Sequence, residues 1–378
     1  MFQNAVTSPD LVQSREALAE LVHELCAQPR IAVDTESNSL HAYRERVCLM
    51  QFSTSERDYV LDALAVPDAS PLRSIFEDPR IEKVFHAAEY DILCLRRDYG
   101  FTFTNIFDTM QAGRILGRKM AGLDRLIDEK FGVKVNKRLQ KANWGTRPLS
   151  PELLQYAAQD THYLIPLRDI LEAELRDKGL LELAQEDFRM ACNHHSQEHK
   201  DRSESPAWLR FSARRDLSPQ ELTILKELLE WREGIAARLD RPPFKVVSEE
   251  HLIAIAHAQP REREELAALG LGERQTRQWG SDLLGAVARG LRNPLVHKAR
   301  PASPTAAYLR RLEKLKEWRK KAAAGMDVES DVVLPRGLLL ALADRGAQDV
   351  GAIMRSSPWR LRRFGDQIFA VLQAVPSP

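Results

Sequence analysis

Asp34 and Glu36 stand two apart in Val33-Asp34-Thr35-Glu36, at the end of an apolar run. Side chains two apart on a strand share a face, so both carboxylates can turn into one site. Neighbouring carboxylates repel and lose hydration on burial, a cost that a bound cation offsets. Hard divalent ions such as magnesium or manganese take such oxygen ligands. Taken alone, the pair reads more often as solvated acids at a strand end. Asp91 closes Val84-Phe85-His86-Ala87-Ala88-Glu89-Tyr90-Asp91, where a strand runs into a helix. An acid in a first helical turn is commonly there for the dipole, worth a few tenths to about 1 kcal/mol, and His86 reads equally as a core histidine. In Tyr156-Ala157-Ala158-Gln159-Asp160 the phenol and the carboxylate are four apart. That spacing puts them on one helix face, either aimed at one point or forming a plain surface pair.

These residues need elements to hold them. Short apolar runs at 31–33, 47–52, 59–61 and 82–85 predict strands, and Ile92, Leu95 and Tyr99 predict a helix after them. The front of the chain is therefore α/β. From about 105 to 190 the period becomes helical, broken by a polar, basic stretch at 133–150 that predicts a loop. Ser150-Pro151-Glu152 reads as an N-cap, a proline at the first helical position and an acid in the first turn. Pro166 is expected to end or bend that helix.

The chain has 378 residues, 44% of them hydrophobic and 29% charged, enough for two or three cored domains and against wholesale disorder. Its longest apolar runs, such as Leu338 to Ala343, fall far short of the roughly 20 residues that cross a bilayer. The first residues show no secretory signal, so a cytoplasmic location is expected, with no membrane partner and no obligate protein partner. Four scattered cysteines, Cys26, Cys48, Cys94 and Cys192, form no C-x-x-C pair. Cys192 with His194, His195 and His199 is a rival transition-metal cluster, although it lacks carboxylates at comparable spacing. Net charge is −6 over residues 1–200, −1 over 201–290 and +8 over 291–378. An acidic front with a basic tail suits a metal-using domain joined to a polyanion-binding one.

Residues 196–206 lose apolar content and read as a linker, and 297–304 as a second. Between and beyond them the chain repeats itself. Glu230-Trp231-Arg232 recurs as Glu317-Trp318-Arg319, displaced by 87, and Arg277-Gln278-Trp279-Gly280 as Arg362-Arg363-Phe364-Gly365, displaced by 85. Leu252 to Ala256 recurs approximately at Leu338 to Leu342. Landmarks in one order at a nearly constant offset predict a duplicated helical domain.

The set Asp34, Glu36, Asp91 and Asp160 with Tyr156 resembles the DEDD family of 3′→5′ exonucleases, in the subgroup whose third motif carries tyrosine. Leu139 to Ser150 is similar to the block that precedes that motif in ribonuclease D-type members, Phe107 to Ala112 to their intervening helix, and the duplicated unit to two HRDC domains. The resemblance implies a ribonuclease H-like α/β exonuclease domain over 1–200, a mixed sheet with flanking helices. Two all-α helical-bundle domains would follow, over 207–296 and 302–378. It implies two divalent ions (Mg2+ or Mn2+), with Asp34 bridging them, Glu36 and Asp160 on the ion that carries the water and Asp91 on the other. Tyr156 would orient the attacking water or help it lose a proton. The implied partner is RNA, namely precursor tRNA with a 3′ extension, cut to 5′-mononucleotides. DNA exonuclease activity and a non-catalytic nucleic-acid adaptor are the alternatives. His86, Lys137, Arg138, Lys141, Arg310, Arg311, Lys314, Arg319 and Lys320 are the expected RNA contacts, the last five on one basic helix. The second repeat lacks the counterpart of Arg241-Pro242-Pro243-Phe244 and has Asp327 to Ser330 near that position.

Overall fold

The computed structural model describes residues 8–135, 137–193, 207–212, 216–297 and 304–375. All four apolar runs lie in one mixed six-stranded sheet, in the order β1-β4-β3-β2-β5-β6. Its strands are β1 (Asp10–Val12), β2 (Arg30–Ser37), β3 (Val47–Ser53), β4 (Asp58–Asp62), β5 (Glu82–Phe85) and β6 (Ile106–Asp108). The β2-β3 and β3-β4 pairs are antiparallel; β1-β4, β2-β5 and β5-β6 are parallel. Every residue of β3 and β4 is buried. A strand covered on both faces needs no polar alternation, which is why Val47 to Phe52 reads as one apolar run.

Eight helices accompany the sheet: α1 (Arg15–Cys26), α2 (Arg73–Phe76), α3 (Ala88–Tyr99), α4 (Thr109–Ile115), α5 (Leu123–Phe131), α6 (Pro151–His162), α7 (Leu164–Asp177) and α8 (Leu181–Asn193). Ser150 caps α6 by accepting from the Leu153 amide at 3.2 Å, with Pro151 at the first helical position. The break expected at Pro166 falls instead at Tyr163; Pro166 lies in the first turn of α7, where a missing N–H costs nothing.

The chain divides into two compact units. One holds the sheet, its helices and the helices from Ala306 onward. Their shared core is substantial: Val332 belongs to it, and Met326, Val328 and Trp359 pack against it. Arg360 is fully buried there, 3.2 Å from Glu186 and 2.8 Å from Asp187, and donates to the Val332 carbonyl at 2.7 Å. Arg114 bridges Glu329 and Asp331, both at 2.6 Å.

The other unit contains the helices Pro219–Leu239, Pro243–Val246, Glu249–Ala258, Arg263–Ala268 and Glu273–Arg292. Its two long helices pack closely at Gly290, where a Cβ would lie 2.6 Å from the Ile224 Cα. The segment Asn38–Arg46 belongs to this unit, and the Tyr43 amide donates to Asp240 at 3.1 Å.

The two repeats have matching internal geometry. Helix Pro219–Leu239 ends at Asp240 and helix Ala306–Met326 at Asp327, both in the left-handed region at φ 45° and 52°. Arg232 donates to the Val247 carbonyl and Arg319 to that of Leu334. Trp231 meets Trp279 edge-on at 6.0 Å, and Trp318 meets Phe364 edge-on at 5.6 Å. The linker read at 196–206 lies outside the described residues, as do 298–303 of the second.

Candidate active site

Asp34 and Glu36 lie on β2, just before a register shift between Glu36 and Ser37. Such bulges bend a strand and re-aim its side chains. Helix α6 packs across β2, β3 and β4. It is tied down by Thr161, 2.7 Å from the Ser53 hydroxyl, and by His162 Nδ1, 2.8 Å from Asp58. That placement brings Asp160 to the β2 acids: one ligand oxygen each from Asp34, Glu36 and Asp160 lies within 4.8 Å of the others.

Asp91 comes from α3. The chain enters that helix through Ala87 at φ 63°, a strained left-handed conformation for a residue with a Cβ. Asp108 holds the turn. Its carboxylate accepts from the Ala87 and Ala88 amides at 3.1 and 2.8 Å and from Met110 and Gln111 at 2.9 and 3.1 Å, so one side chain caps both α3 and α4. The buried Asp91 accepts from the Thr35 hydroxyl at 2.5 Å, which links the second acidic motif to the first.

Crowding shows in the proton affinities. Burial, then Asp160, raises Asp34 well above the usual carboxylate range. Burial followed by Asp34, Asp160 and Asp91 pushes Glu36 up to about 10. Asp91 is raised by burial and Asp34 against the pull of Thr35, and Asp160 is raised to about 7 by burial and Asp91. Tyr156, buried beside Trp144 at 6.1 Å, is raised by burial and by Asp160, Glu36 and Asp34, so its phenol stays protonated. These groups fit a hard divalent cation: all are oxygen donors, and their mutual repulsion is what such an ion removes. Across the ladder from Asp34, the buried amide of Gln51 has no hydrogen-bond partner among the described residues, a polar group suited to a hydrated ion.

The expected RNA contacts are placed unevenly. His86 Nδ1 sits 2.9 Å from the Thr109 hydroxyl, which donates to the Phe85 carbonyl, so Nδ1 donates and Nε2 faces elsewhere. Burial lowers the proton affinity of His86. Lys137 pairs with Asp124 at 2.9 Å, while Arg138 and Lys141 are exposed on the same loop. Arg310, Lys314 and Lys320 are exposed, Lys314 against Glu317. Arg311 and Arg319 correct the expected basic face. Arg311 donates to the Ala343 and Asp344 carbonyls at 2.6 and 2.8 Å, and Arg319 to Leu334 at 3.0 Å. Both satisfy helix-end carbonyls of their own repeat. Of the rival metal cluster only Cys192 is described; His194, His195 and His199 lie outside the described residues.

Thr35, Asp108 and the Arg147–Asp62 fork escape a reading based on acids alone. Arg147 grips Asp62 at 2.7 and 2.6 Å and pins the loop at 133–150, whose Trp144 is buried against α6. An Asp before a helical run is an N-cap signal that could have marked Asp108; the fork spans 85 residues and has no local signal.

A family model described as 3′-5′ exonuclease matches residues 9–176, and the HRDC domain model matches twice, over 221–287 and 309–372. Ribonuclease D of Haemophilus influenzae is 31% identical over 285 residues, 75% of this chain and 71% of that protein. This chain belongs to the ribonuclease D family. Exosome complex component 10 of Mus musculus is 35% identical over 264 residues, 68% of this chain but only 30% of that longer protein. The crystal structure of Escherichia coli RNase D, described as an exoribonuclease involved in structured RNA processing, superposes with a TM-score of 0.71 at 26% identity. It covers 98% of this chain and 100% of that one. The ribonuclease D family resemblance carried by the four acids and Tyr156 thus extends to the sheet and the helical repeats.

Proposed function

We propose that this chain is a metal-dependent 3′→5′ exoribonuclease that releases 5′-mononucleotides from RNA 3′ ends and trims 3′-extended tRNA precursors. The observation that carries the reading is the convergence of Asp34, Glu36 and Asp160 within 4.8 Å, with Asp91 joined to them through Thr35. Asp34, Glu36, Asp91 and Asp160 would hold two divalent ions. Such ions, when bound, acidify the attacking water and stabilise the leaving oxygen. In the cleavage, water oxygen bonds to the phosphorus of the terminal nucleotide, the bond to the neighbouring 3′-oxygen breaks, and that oxygen takes a proton. Tyr156 orients the attacking water by hydrogen bonding or helps it lose a proton. Thr35 fixes the Asp91 carboxylate. His86 Nε2 and the exposed Lys137, Arg138, Lys141, Arg310, Lys314 and Lys320 are the proposed contacts to RNA. The catalytic part takes residues 1–200, and the two repeats 207–296 and 302–378.

The test of the substrate is a competition among a 3′-extended tRNA, the mature tRNA and a DNA copy of the extended strand, each labelled at its 5′ end. Preferential shortening of the extended tRNA supports the reading. Equal or faster shortening of DNA overturns the RNA assignment.

A further inference from the structure

Strand β3, buried along its whole length, carries one amide and one hydroxyl, and their surroundings differ. The Ser53 hydroxyl lies 2.6 Å from Asp58 and 2.7 Å from Thr161. Gln51 is fully buried, and neither its Nε2 nor its Oε1 has a hydrogen-bond partner among the described residues. An amide shut away from water with both ends unpaired destabilises a fold, and methionine or leucine of similar volume would avoid that cost. Groups that break this rule concentrate at functional sites.

Strand register names the group that Gln51 faces. Directly opposed residues of an antiparallel pair share a face, with Cβ atoms about 4.5–5.5 Å apart. On one side Gln51 opposes Val60 of β4, which is apolar; on the other it opposes Asp34 of β2. Other polar side chains on that face are already engaged: Asp58 accepts from Ser53 and lies 2.8 Å from His162 Nδ1, and Asp62 accepts from Arg147 and Gln13. That leaves the acids, Asp34 beside Gln51 and Glu36 one step along the ladder, with Asp160 brought to them by α6. Towards a carboxylate an amide presents its N–H. A lysine or arginine in this place would also hold a carboxylate, but its charge would repel a divalent ion; glutamine donates without charge.

We infer that Gln51 is a positioning residue of the metal site, its Nε2 donating to the Asp34 carboxylate and fixing which way the carboxylate oxygens face. Ligating carboxylates are held by such outer hydrogen bonds, and loss of one weakens metal affinity about 10–100-fold. The inference rests on the reading of the four acids as a metal site.

The experiment titrates Mn2+ into the full chain without RNA, by calorimetry, for wild type, Gln51→Met and Gln51→Leu, and follows the thermal unfolding of each in EDTA. Both variants are expected to raise the Mn2+ Kd about 10–100-fold. In EDTA both are expected to unfold at or above the wild-type Tm, because each removes an unpaired buried amide. A merely structural role moves the two readouts the other way, with Tm falling and Kd holding. An unchanged Mn2+ Kd in the variants overturns the inference, as does weaker binding accompanied by a lower Tm in both. If one variant alone loses Tm, its side chain misfits the site and the other variant decides. Wild type that takes up no Mn2+ overturns the metal reading of the acids and this inference with it; wild type that binds Mn2+ no better than its variants overturns this inference alone.

Discussion

The four acids lower their charge by holding protons, and this makes the metal-free protein sensitive to pH in a predictable sense. Below about pH 4 both folded and unfolded chains carry these carboxyls protonated. As pH rises the unfolded chain ionises first, while folded Asp160 waits until about 7 and Glu36 until about 10. Stability contributed by the raised groups is therefore complete below about pH 4 and is lost as pH climbs through those folded values. Thermal unfolding in EDTA is expected to show Tm falling from pH 5 to pH 9, with Mn2+ restoring more of it at pH 9 than at pH 5. A Tm indifferent to Mn2+ at the upper end would contradict the site. Thr35→Val removes the hydroxyl that orients Asp91 at nearly constant volume. It is expected to cost about 1–3 kcal/mol in urea unfolding and to raise the Mn2+ concentration needed for half-maximal activity, whereas Thr35→Ser keeps both near wild type. The acids themselves were legible in the sequence because strand and helix spacing fix which side chains share a face. Thr35 was not: its role exists only once Asp91, 56 residues on, is folded against it.

At the scale of elements, the four longer strands and α3 and α6 followed from apolar periodicity and from the Ser150-Pro151 start. The strands β1 and β6, of three residues each, were missed because so short a run has no measurable period. Pro166 was misread for a reason of position, since proline breaks a helix interior but is tolerated in a first turn. Asp108 is the element-scale hub, capping α3 and α4 and holding strained Ala87 in the turn that aims Asp91. Single N-caps contribute about 0.5–2 kcal/mol. Asp108→Ala is expected to exceed one cap, at about 2–4 kcal/mol, and to weaken metal binding measured by calorimetry. Asp108→Asn, which can still accept from the amides, should recover much of the stability. A loss no larger than that of Ser150→Ala would show that the two caps are not shared.

For the whole molecule, the duplication was legible because Trp231 and Trp318, and Arg232 and Arg319, recur at one offset, and each pair meets partners at corresponding positions of its own copy. What each copy does was hidden. The basic helix Ala306–Met326 read as a phosphate-binding face, yet Arg311 and Arg319 are spent on carbonyls, a use that charge counting cannot distinguish from an exposed one. The second repeat instead shares a core with the exonuclease domain. Removing one member of a buried charge group costs about 3–5 kcal/mol, against about 0–1 for an exposed pair. Arg360→Ala is therefore expected to destabilise the sheet-bearing unit strongly, and Arg362→Ala, 60% exposed against Glu182, to do little. Similar small losses in urea unfolding would mean that the second repeat is only loosely attached.

The central claim is that four converging carboxylates make a metal-dependent RNA 3′ exonuclease. Its most direct test is a time course on 5′-labelled RNA with wild type and Asp34→Asn, each with Mg2+, Mn2+ or EDTA. Loss of a metal ligand forfeits several kcal/mol of transition-state stabilisation, about a hundredfold or more in rate. The account predicts stepwise shortening from the 3′ end by wild type with metal, none in EDTA, and at least that loss in Asp34→Asn. Shortening that persists in EDTA, or an Asp34→Asn enzyme as fast as wild type, would contradict it.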